Sequence, residues 1–102
     1  MRYLGAIRGA GSLATTSGHA LGPAEYDIDG FVTQTGEVVG SGELRMTPAL
    51  LGAAFGRRDL CLKTDGGQTL ALRFSGSQLA PNSAAAHVDV TSGFPVPRKR
   101  RA

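Results

Sequence analysis

The chain has 102 residues, 41% of them apolar and 19% charged, which is enough for one modest core and too little for two. Its formal charge of +3 comes from 11 Lys and Arg against eight Asp and Glu. Four of those cations, Arg98, Lys99, Arg100 and Arg101, are consecutive; without them seven face eight, so residues 1–97 carry about −1 and exclude a body built to grip a duplex over a basic face.

A lone Cys61 rules out an intrachain disulfide, which argues for a cytoplasmic protein over a disulfide-stapled secreted scaffold. No apolar run approaches the roughly 20 residues needed to span a bilayer, so no membrane segment is expected. The first 24 residues hold Arg, Ser and Thr but no acid, which is transit-peptide composition, yet their glycines oppose the amphipathic helix such peptides need. Fifteen glycines and five prolines, scattered between short alternating apolar stretches, predict short strands and many turns.

In chain order, Tyr3 to Arg8 and Ser12 to Thr16 are two short strands around a Gly-rich turn. The turn region Gly9 to Ala14, GAGSLA, fits G-x-G-x-x-A, with Asp29 twenty residues past Gly9. A dinucleotide fingerprint would need a helix over SLATTSGHALGP, which Gly18, Gly22 and Pro23 preclude.

Residues Ala24 to Met46 form a hairpin with Thr35-Gly36-Glu37 at its turn. Tyr26, Ile28 and Val32 then share a face with Val38, Leu44 and Met46, while Glu25, Asp27, Asp29 and Glu43 gather around Arg45 on the other. The acids at 25, 27 and 29 with Gly30 echo the start of a calcium loop, but Gly36 stands where a bidentate Glu belongs, so strand alternation explains them and no metal or other cofactor is expected.

Next comes TPALLGAAFG, one short helix near 48–55 with Thr47 as N-cap, Pro48 at the first helical position and Gly56 as the left-handed terminator. Leu50, Leu51 and Phe55 supply its buried stripe, which would plug a barrel end or cover a sheet edge.

A second hairpin spans Arg58 to Phe74. A three-residue loop, Asp65-Gly66-Gly67, with Gly67 left-handed, sets Leu62 opposite Leu70 and Leu60 opposite Leu72, and brings Asp59 to Arg73 on the outer face. Gly76 to Ala86 is a loop, and His87 to Thr91 a final strand with Val88 and Val90 inward.

His87 and Asp89 share the other face of that strand, and with Cys61 they would make a nucleophile, base and orienting carboxylate if the fold brought them together. Two distant histidines and one cysteine give no zinc spacing. Stacking of single-stranded nucleic acid is disfavoured, since there is no Trp and Phe31 alone is placed on an outer face, among acids.

The sequence therefore predicts an all-β, mainly antiparallel small barrel or sandwich of about five to seven strands with one short helix. Residues 1–97 form a single β domain, and 98–102 a disordered basic tail. The expected role is a non-catalytic module that binds another protein or itself. The carboxylates Glu25, Asp27, Asp29 and Glu43 would receive a basic tail, and open strand edges offer backbone pairing. The alternatives are weak nucleic-acid binding by the tail, with a log–log salt slope of roughly −3.6 for four phosphate contacts, and a small enzyme using His87, Asp89 and Cys61.

Overall fold

The computed structural model of the chain describes residues 1–76 and 78–95. It contains strands β1 (Arg2–Thr15), β2 (Ala20–Val32), β3 (Val38–Arg45), β4 (Leu60–Thr64), β5 (Thr69–Phe74) and β6 (Ala85–Ser92), with helix α1 (Pro48–Ala54) between β3 and β4. All neighbours are antiparallel, and the strands close in the order β1-β2-β3-β6-β5-β4, so the architecture is a six-stranded barrel and not a sandwich. The segment 98–102 lies outside the described residues. Among those described, no helix is long and apolar enough to cross a membrane.

The two hairpins expected from the sequence obey one rule, which the β1–β2 hairpin shares around Gly18 at φ +96°. In the β4–β5 hairpin Thr64 N–H donates to Gln68 O and Gly67 N–H to Thr64 O, with Gly67 at φ +91°, so Asp65-Gly66-Gly67 is a type I turn with a left-handed third residue. Leu60 meets Leu72 and Leu62 meets Leu70, as the alternation requires. Thr33 and Glu37 close the β2–β3 hairpin in the same way around Gly36 at φ +89°. Its loop is therefore Gln34-Thr35-Gly36, one residue earlier than expected, because the left-handed glycine must come last. The faces are unchanged: Val32 meets Val38 and Tyr26 meets Leu44.

The first fifteen residues differ from expectation. Two strands about a turn are instead one continuous strand, β1, with a bulge between Tyr3 and Gly5. Glycine at 5, 9 and 11 erases the apolar alternation that marks a strand. Pro23 sits in β2 opposite Ser12, ahead of the first β3 pair at Glu25 and Arg45, so its missing N–H costs no ladder bond.

The interior is filled by side chains. Leu13, Ile28, Leu44, Leu51, Leu60, Leu62, Leu70, Val88 and Val90 are fully buried. At about 1.5–3 kcal/mol for each side chain, their burial outweighs the exposed ion pairs, which contribute about 0–1 kcal/mol apiece. Leu51 and Ala54 of α1 seal one end of the barrel, Leu50 packs beside them half-buried, and Phe55, also half-buried, lies against Phe74. The helix begins at Pro48 and is followed by left-handed Gly56, but Thr47 makes no side-chain cap.

Phe94 seals the other end. Its ring occupies the space left by Gly30 and Gly40, which face each other across β2 and β3, and a Cβ built on Gly30 would lie well inside van der Waals contact with Phe94 Cε1. Phe94→Ala should therefore cost about 3–5 kcal/mol in urea unfolding, and Gly30→Ala should destabilise the wild-type chain. Because the two share one space, Gly30→Ala should cost much less in the Phe94→Ala background; additive losses would refute the shared seat.

Candidate functional site

Alternation puts odd residues of β2, β3, β5 and β6 on the outside, where the chemistry-bearing side chains collect. Glu25, Asp27, Asp29 and Glu43 do lie together there, but each has a partner. Arg45 Nη1 donates to Glu43 Oε1 at 2.8 Å and Arg45 Nε to Glu25 Oε1 at 3.4 Å. From β1, Arg8 Nε donates to Asp27 at 3.2 Å and the Tyr3 hydroxyl to Asp29 at 3.0 Å. Four carboxylates thus face two guanidiniums, which halves the charge left for a basic segment. The Tyr3 hydroxyl is held above its usual pKa, first by that bond to Asp29.

Reading β1 as a continuous strand recovers Arg8 and Tyr3, which the sequence left unassigned. It also puts Tyr3 beside Phe31, centroids 5.6 Å apart, so Phe31 is not the lone outer aromatic.

His87 and Asp89 share the outer face of β6. His87 Nε2 is 3.1 Å from Ser41 Oγ, and Nδ1 shares a hydrogen bond with Ser75 Oγ. Both ring nitrogens are therefore engaged by serines and neither by a carboxylate. Cys61 does not join them. It pairs with Ala71, which pairs with Ser92, so it is two strands away from β6 and level with the wrong end of it. Strands about 4.8 Å apart put it roughly 10 Å off laterally, beyond direct contact. Its thiol is buried and directed at Thr15 O at 3.6 Å. The expected outer pair Asp59 with Arg73 is also absent, since Asp59 takes both donors of Arg57 at 2.8 and 2.9 Å and Arg73 faces Asp89. Among the described residues no group of three or more His, Cys, Asp or Glu could hold a metal.

Two concavities open at the α1 end. One, of about 430 Å³, is apolar, with Pro23, Ala24, Met46, Pro48 and Ala84 on its walls and the Glu25–Arg45 pair at its margin. The other, of about 320 Å³, is polar and contains Arg57, Arg58 and Arg73 with Phe74, Ser75 and Asp89. No family model, curated protein or solved structure matches the chain.

A third feature belongs to the backbone. β1 pairs with β4 only over Gly11–Thr15, although it pairs with β2 along its whole length. Asp65 N–H donates to Ala10 O and Thr16 N–H to Asp59 O, whereas Thr15 N–H turns the other way, to His19 O. Even residues of β1 therefore address the β4 side, and at Ala6 and Arg8 no described strand stands there. Sequence reasoning anticipated open edges without locating one.

Buried Tyr26 reaches the exposed β4–β5 turn, where its hydroxyl donates to Asp65 Oδ1 at 2.6 Å. Burial first, and then this bond, raise the Tyr26 pKa above its usual 10.0. A phenol raised on folding stabilises fully below its unfolded pKa and loses that contribution as pH climbs through the folded value. The chain should therefore lose stability above about pH 10 more steeply than Tyr26→Phe does; parallel alkaline profiles would contradict this. Cys61 should react with a thiol reagent only as fast as the barrel opens, and rapid labelling of the native chain would contradict its burial.

Proposed function

We propose that the protein is a non-catalytic interaction module that self-associates by adding backbone to the free flank of β1. One observation carries this reading: among the described residues the Arg2–Gly9 stretch of β1 is the longest strand segment with a neighbour on one side alone, its β2 side. An unpaired row of N–H and C=O groups is a template for another strand, and main-chain bonds of this kind need no special side chains. A second copy approaching antiparallel presents the same flank, which is a self-complementary twofold contact. Filled interior space and the separation of Cys61 from His87 and Asp89 favour binding over catalysis.

A second reading keeps the electrostatic route, because four carboxylates against Arg8 and Arg45 leave two charges that Arg98–Arg101 of another copy could meet. Such pairs would be exposed and salt-sensitive.

Light scattering after size exclusion separates the two. The flank reading predicts a concentration-dependent dimer that persists at high salt and after deletion of 98–102. Ala6→Pro should abolish it by removing an outward N–H, while the β2 ladder, made by odd residues, survives and the urea midpoint changes little. Ala6→Lys, beside Arg8, should weaken it too. A monomer at every concentration sinks both readings, and a dimer lost with salt or with the tail sinks the flank.

A further inference from the structure

We infer that the cleft between the α1–β4 connection and β5 binds a phosphate monoester carried by a hydroxylated organic group. The first support is where the unpaired cations lie. Of the seven Lys and Arg in residues 1–97, Arg8, Arg45 and Arg57 have carboxylate partners. Arg2 and Lys63 are exposed strand residues outside the cleft lining. The other two, Arg58 and Arg73, line the same concavity and form no ion pair among the described residues. Two guanidiniums that form no ion pair in one cleft of about 320 Å³, within the range of small-ligand sites, outnumber its single unpaired carboxylate, Asp89 opposite Arg73, and form a recess matched to an anion.

The second support is rigidity. Arg57 is clamped by both donors onto Asp59, which fixes the connection that also carries Arg58. Arg73 stands in a ladder between β4 and β6, and Ser75 N–H is tied to His87 O. Little loop ordering then opposes binding. Guanidinium forks fit phosphate oxygens two at a time, where a lysine would act as a point charge.

The remaining walls select the rest of the ligand. Asp89 is a carboxylate inside a cationic cleft, an acceptor suited to a hydroxyl and unsuited to a second phosphate. Phe74 stands half-buried against Phe55, ring centroids 5.1 Å apart, and gives an apolar wall for a carbon frame. A sugar phosphate satisfies all three demands, with phosphate on Arg58 and Arg73 and a hydroxyl on Asp89.

Calorimetry and amide chemical-shift titration with ribose 5-phosphate, inorganic phosphate and ribose test this on the full chain. Ribose 5-phosphate should bind most tightly, phosphate more weakly and ribose not at all, with shifts centred on Arg58, Arg73 and Ser75. Arg58→Ala and Arg73→Ala should each weaken ribose 5-phosphate by about tenfold or more, the scale of a lost charge-assisted hydrogen bond. Arg73→Lys should also weaken it, although the charge is kept, and Lys63→Ala should not. Asp89→Asn should narrow the preference for ribose 5-phosphate over phosphate. Absence of saturable binding, shifts centred elsewhere, or an equal loss in Lys63→Ala would overturn the proposal.

Discussion

β1 gives its backbone to two partners at once over Gly11–Thr15, to β2 on one side and β4 on the other, and this double pairing is what makes the sheet a barrel. Without it β1-β2-β3 and β4-β5-β6 would be two meanders joined only where β3 meets β6. Closure forces the inward residues of all six strands into one space, and six strands are few enough for side chains to fill it. The ends still need stoppers. Leu51 and Ala54 supply one from the helix, and Phe94 supplies the other from just past β6. That second stopper needs Gly30 and Gly40 opposite one another, since any larger pair would occupy its seat.

A filled interior moves function to the surface, and there the same closure decides what is available. Pairing puts β1 next to β2 and so brings Arg8 and Tyr3 onto Asp27 and Asp29. A face that looks strongly acidic along β2 and β3 becomes a network of exposed pairs, each of small energetic weight. Two places then stand out physically. One is the flank of β1 that extends past the end of β4, where backbone groups lack a strand. The other is the cleft where Arg58 and Arg73 form no ion pair among the described residues. Our proposals follow those two unsatisfied demands, one for hydrogen bonds and one for charge.

Much of the fold was legible because period-2 alternation and turn chemistry agree. Leu60, Leu62, Leu70 and Leu72 with Asp65-Gly66-Gly67 leave one sensible register, and the structure has it. The β2–β3 loop starts one residue before the expected Thr35-Gly36-Glu37, because the left-handed third position that Gly67 takes belongs to Gly36 as well. β1 was hidden for a different reason. A glycine shows no preference for a face, so Gly5, Gly9 and Gly11 conceal a strand whose inward side is partly empty of side chains. The sites were less legible than the elements. Arg58 and Arg73 share a cleft only through the β4–β5 hairpin and the α1 connection, and Ser41 reaches His87 from β3 while Ser75 reaches it from just past β5. No local spacing announces such meetings. Register alone points Asp59 at Arg73, but Arg57, two residues away, engages it with both donors.

Hydrogen exchange along β1, read residue by residue at a concentration where the chain is monomeric, tests the double pairing most directly. The account predicts slow exchange for Ser12 and Ala14, whose amides face β4, and for Ile7 and Gly9, whose amides face β2, with fast exchange at Ala6 and Arg8. Protection at Ala6 and Arg8 equal to that of their odd neighbours, or Ser12 and Ala14 exchanging as fast as Ala6, would mean that β1 does not close the barrel in this way.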